Sequence, residues 1–137
     1  MNRLLPPYCV PAQRRPSRAA LPPKIRTAVD EWGTDGYPGA TDTTKRLLQY
    51  WFQQDHKVRR ARRPQEFGYY FCQREAIETL IYLYEARQLR SLYDLARNFT
   101  PERPFTIIPG EDRFARYVFK MATGSGKTKG LCPARCG

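Results

Sequence analysis

The chain has 137 residues, room for one ordinary domain. It carries 24 Lys and Arg against 13 Asp and Glu, a formal net charge of +11, which favours a polyanionic partner, nucleic acid or nucleotide, and says nothing about fold. No apolar run approaches the ~20 residues a membrane span needs, so no membrane partner is expected. Cys9, Cys72, Cys132 and Cys136 show no disulfide framework, and without a secretory signal the expected setting is a reducing cytoplasm.

Residues 1–23 are rich in Pro and Arg, with no acidic residue before Asp30. Such a segment reads as a flexible tail, because proline removes helix donors and clashes with the preceding turn. A targeting presequence is the other reading of its basic composition, but the prolines spoil an amphipathic helix. Residues 24–66 read as an N-terminal helical extension. Within it, Ile25, Val29 and Trp32 fall on one face of a helix over 24–32. Gly33, Gly36, Pro38 and Gly39 break that helix. Asp42 is the expected N-cap of a second helix running to Gln54, burying Leu47, Leu48, Trp51 and Phe52.

His56 has no cysteine or carboxylate at ligand spacing and reads as a surface or loop residue. Lys57, Arg59, Arg60, Arg62 and Arg63 follow as a dense basic run. It reads as a solvated connector or as a contact to a nucleic-acid backbone; no aromatic is interleaved for base stacking. Residues 67–71 are aromatic-rich and read as extended chain or the lead-in to a helix.

The clearest helix spans 73–87. Ile77, Leu80, Ile81 and Tyr84 recur at helical spacing, while Arg74, Glu75, Glu78 and Glu85 lie largely on other faces. A shorter helix over 91–98 is expected, with Ser91 and Asp94 in capping-box positions and Pro101 and Pro104 beyond its end. Phe105, Ile107 and Ile108 read as a short strand, and Pro109-Gly110 as a turn. Tyr117, Val118 and Phe119 read as a short buried strand leading into Gly124-Ser125-Gly126-Lys127-Thr128.

That last stretch has the order a phosphate loop requires. Glycines let backbone N–H groups close around phosphate oxygens, and the following helix N-terminus favours the anion. The Lys127 ammonium would reach the β- and γ-phosphates of ATP, and the Thr128 hydroxyl would ligate Mg²⁺. Met121 stands where the strict P-loop (Walker A) pattern has its first glycine.

The string Met121-Ala122-Thr123-Gly124-Ser125-Gly126-Lys127-Thr128 resembles motif I of superfamily-two helicases, in the form found in motor subunits of type I and type III restriction enzymes. Tyr70-Phe71-Cys72-Gln73-Arg74-Glu75-Ala76-Ile77-Glu78-Thr79-Leu80-Ile81 resembles the glutamine motif of the same group. The block from Trp32 to Phe52 is similar to the group's N-terminal region. The resemblance implies an α/β fold: a RecA-like P-loop domain with a parallel sheet. This chain would be mainly α-helical, with one or two short strands and an incomplete sheet.

It further implies that 67–129 begins an ATP-binding domain and that Thr123, Gly124, Ser125, Gly126, Lys127 and Thr128 hold the ATP phosphates. Gln73 would read the adenine edge, with Phe71 as a stacking neighbour. A glutamine side chain suits that edge because it both donates and accepts. Residues 88–112 would then be an insertion between the adenine and phosphate contacts.

The family's cofactors are ATP and Mg²⁺. Its partners are DNA and a modification or other restriction subunit. Its activity is ATP-dependent DNA helicase or translocase. No Asp or Glu follows Thr128, so no residue here supplies the acidic motif that hydrolysis needs. In 130–137, Gly130 and Pro133 stand where a helix should continue, costing about 1 and 3 kcal/mol relative to alanine. A truncation or frameshift after Lys129 is the expectation. Cys132 and Cys136 are too few for a zinc site. The alternative reading is a small basic nucleic-acid-binding or adaptor protein without nucleotide chemistry.

Overall fold

A computed structural model describes residues 17–54, 56–60, 63–102 and 116–120. The elements are α1 (Leu21–Thr34), α2 (Asp42–Gln53), β1 (His56–Arg60), β2 (Arg63–Phe67), α3 (Phe71–Ile81), a π-helical turn (Tyr82–Ala86) and α4 (Leu92–Phe99). The first tail, the strand expected near 105–108, the loop 123–128 and residues 130–137 lie wholly or mainly outside the described residues.

Helix α1 begins at Leu21, ahead of the boundary expected at Lys24, and takes Pro22 and Pro23 into its first turn. The first N–H groups of a helix have no intrahelical acceptor, so proline there loses no bond. The helix also runs through Gly33 to Thr34 before the chain turns. Gly36 (φ +79°) and Tyr37 (φ +61°) are both left-handed, and the Tyr37 N–H donates to the Trp32 carbonyl at 3.0 Å. The Trp32 indole N–H donates to the Pro38 carbonyl at 2.8 Å, which pins the turn to the helix.

The N-cap of α2 is Thr41, one residue before the expected Asp42. The Thr41 hydroxyl accepts from the Thr44 N–H at 3.3 Å. Asp42 sits in the first turn instead, where its charge suits the helix dipole. Leu48 is fully buried, whereas Leu47, Trp51 and Phe52 are only half-buried. Strands β1 and β2 form an antiparallel hairpin pairing His56 with Phe67 and Arg60 with Arg63.

Helix α3 leads directly into the π-helical turn, marked by the Arg87 N–H donating to the Tyr82 carbonyl at 2.9 Å. The wider turn shifts the buried face. Ile77, Tyr82 and Leu83 are buried, while Tyr84, on the expected apolar stripe, is 45% exposed. Gln88 adopts φ +52°, and the Leu89 N–H reaches back to the Leu83 carbonyl at 2.8 Å, closing the helix end. Helix α4 is capped as expected, with the Ser91 hydroxyl accepting from the Asp94 N–H at 3.0 Å.

One core joins these pieces. Val29, Trp32, Tyr37, Ala40 and Leu48 pack with Ile77, Tyr82, Leu83 and Leu89, so both sides of residue 66 contribute to it. The Trp32 ring meets Tyr37 edge-on at 4.8 Å and tilts against Tyr82 at 5.4 Å.

This architecture overturns the α/β expectation. The described residues form a helical body with a single antiparallel hairpin, and no parallel strand pair occurs among them. Tyr117, Val118 and Phe119 have no regular secondary structure, and Val118 is 91% exposed. A buried parallel strand requires neighbours on two edges and both faces. Tyr117 instead packs at the border of a helical core.

Candidate functional site

The start of α3 is the region where sequence and structure can be compared most closely. Gln73 is 3% exposed, and its side-chain oxygen accepts from the Tyr70 N–H at 2.8 Å. That bond satisfies one of the donors a helix N-terminus leaves without an intrahelical partner. The described conformation therefore employs Gln73 as a helix-start residue. Phe71 is half-buried beside it, and Cys72 is exposed.

The next residues on this face form a polar network that the amphipathic pattern placed outside the core. The Tyr37 hydroxyl donates to Glu78 Oε1 at 2.7 Å, and the Arg74 Nε–H donates to the same oxygen at 2.8 Å. The Arg74 guanidinium also reaches the Tyr37 oxygen at 3.4 Å and lies 5.7 Å from the Phe52 ring centre. Glu78 is buried, with only 9% of its side chain exposed. Burial raises the Tyr37 hydroxyl well above the usual tyrosine range, and the Glu78 carboxylate adds to the rise. For Arg74, burial pulls downward, but Glu78 and Tyr37 outweigh it and hold the guanidinium charged. The Arg74–Glu78 spacing of four was the only local sign of this pair. Nothing local pointed to Tyr37, which joins from across 41 residues.

The other face of α3 borders a cleft of about 490 Å³. Cys72, Glu75, Ala76 and Thr79 line one wall, Ile25 and Arg26 of α1 another, and Tyr117 to Lys120 a third. An Arg26–Glu75 ion pair at 2.9 Å crosses from α1 to α3. Residues 117–120 thus run against α3. Gln73 does not line the cleft.

Of the remaining sequence candidates, Thr123, Gly124, Ser125, Gly126, Lys127 and Thr128 lie outside the described residues, as does Arg62. Lys57, Arg59 and Arg60 fall on β1, and Arg63 opens β2. The basic run is therefore folded into a hairpin, not a linear connector. Among the described residues no group of three or more His, Cys, Asp and Glu could hold a metal ion. No helix among them is long and apolar enough to cross a membrane.

Comparisons with protein-family models, curated proteins and solved structures returned no match. The likeness to restriction-type helicases accordingly rests on the quoted motifs.

Proposed function

We propose that this chain carries the ATP-gripping loop, and the helical region ahead of it, of an ATP-dependent DNA helicase or translocase of the restriction-enzyme type. The observation that carries the reading is the string Met121 to Thr128. Its donor set fits a magnesium-bound triphosphate. Backbone N–H groups of Thr123 to Gly126 would surround the phosphate oxygens, Lys127 would neutralise the β- and γ-phosphates, and Thr128 would offer its hydroxyl to Mg²⁺. The approach of residues 117–120 to α3 supports it, because the segment just before that string and the helix that carries Gln73 border one cleft.

Gln73 is the adenine-edge residue on the family resemblance. In the described conformation Gln73 is buried and its oxygen accepts from the Tyr70 N–H, so meeting adenine requires this helix start to open. DNA, and a modification or other restriction subunit, are the partners this reading implies.

Calorimetric titration of ATP with Mg²⁺ into residues 1–137 tests the reading. Saturable uptake that disappears in Lys127→Ala is the expected result. Absence of uptake by the unaltered chain refutes it. If DNA binding then persists unchanged in Lys127→Ala, the basic nucleic-acid-binding alternative takes its place.

A further inference from the structure

The π-helical turn has a consequence at the surface. It rotates Tyr84 out of the core, to 45% exposure, in a stretch whose spacing would otherwise bury it. The Arg90 guanidinium lies 4.5 Å from the Tyr84 ring centre. Tyr117 meets Tyr84 edge-on at 6.4 Å, and its hydroxyl donates to the Leu89 carbonyl at 2.8 Å. Two aromatic rings and a planar cation are therefore held together by the wide turn, the helix end after it and the returning segment 116–120.

Several cations lie close to this cluster in the chain. Arg87, Arg90, Arg116 and Lys120 are all exposed, and none forms an ion pair among the described residues. Among the described residues Arg87 is taken up by Asn98, at 3.3 Å, and by the Tyr82 ring. The adjacent carboxylate, Glu85, is turned away. It accepts from the Thr41 N–H at 2.6 Å and from the Thr44 hydroxyl at 2.9 Å, at the start of α2. Asp94 is half-buried in the first turn of α4.

We propose that the surface formed by Tyr84, Arg90 and Tyr117, flanked by Arg87, Arg116 and Lys120, is a stacking platform for single-stranded nucleic acid. Exposed ring and guanidinium planes accept unpaired bases, while the surrounding cations follow the phosphates. A duplex keeps its bases stacked on one another and can use only the cations. The platform is independent of the phosphate loop and of the 57–63 run, which carries no aromatic.

Fluorescence anisotropy with a labelled oligothymidylate and a duplex of equal length, on the full chain, tests the proposal. Single strand should bind more tightly than duplex. Tyr84→Ala and Arg90→Ala should each weaken single-strand binding about tenfold, the scale of one lost stacking contact. Tyr84→Phe should bind like wild type, which separates stacking from a folding defect, and Lys127→Ala should be unaffected. Wild-type single-strand affinity in Tyr84→Ala and Arg90→Ala, with circular dichroism unchanged, would overturn the proposal. So would duplex binding as tightly as single strand, or polyglutamate doing so, which would assign the surface to an acidic protein.

Discussion

Replacing Tyr37 by Phe removes one hydroxyl from the buried network and leaves the ring in place. The lost bond is a 2.7 Å contact to a carboxylate, from a residue 2% exposed. Hydrogen bonds to charged partners contribute about 1.5–3 kcal/mol, so a loss of about 2 kcal/mol is expected. Glu78 keeps its Arg74 partner, so the cost stays below that of stranding a buried charge. In a domain of this size about 2 kcal/mol lowers Tm by roughly 6–10 °C.

The variant also has a pH signature. Burial, with Glu78 adding to it, raises the folded Tyr37 above the value of about 10 that an unfolded tyrosine has. A raised folded value means the folded chain holds the proton more tightly. Its contribution is fully present below pH ~10 and is lost as pH rises toward the folded value. Urea melts of both proteins between pH 7 and 11 should show a constant gap at first, then a gap that narrows above pH ~10. Equal stability at pH 7, or a gap that widens with pH, would refute the network as described.

Three further substitutions have defined outcomes. Gly39→Ala places a Cβ at φ +82°, and although the nearest atom, the Ala86 carbonyl oxygen, is at an ordinary 3.5 Å, the left-handed backbone should cost about 1–2 kcal/mol in a urea melt. Ser91→Ala removes the α4 cap and should cost about 1 kcal/mol, with loss of helical circular dichroism confined to a small fraction. Gln73→Ala takes the acceptor from the Tyr70 N–H and should lower stability by roughly 1 kcal/mol. Its Mg·ATP affinity, measured by calorimetry, should also fall if adenine uses the same side chain; unchanged affinity confines Gln73 to capping.

The elements that sequence alone determined are those whose causes lie within one or two helical turns. Ser91 reads as a cap because its partner is three residues away, and α4 forms there. Val29, Trp32 and Ile77 read as core from helical spacing, and all three are buried. The reading of Met121 to Thr128 as a phosphate loop rests on consecutive residues alone, and those residues lie outside the described ones.

Tertiary structure decided the rest. The parallel sheet implied by family resemblance gave way to a helical body, because a sheet needs strand partners that the described residues do not provide. The basic run became a hairpin although Arg, Lys and Pro are poor strand formers, since register is set between two segments and not within either. Glu78 and Arg74 entered the interior only because Tyr37, distant in the chain, supplies a hydroxyl there. Tyr84 left it because it lies within a wide turn, where the helical spacing that placed it on the apolar stripe does not hold. A spacing rule assumes a constant twist and sees only near neighbours; which twist holds, and which distant group arrives, is settled when the chain closes on itself.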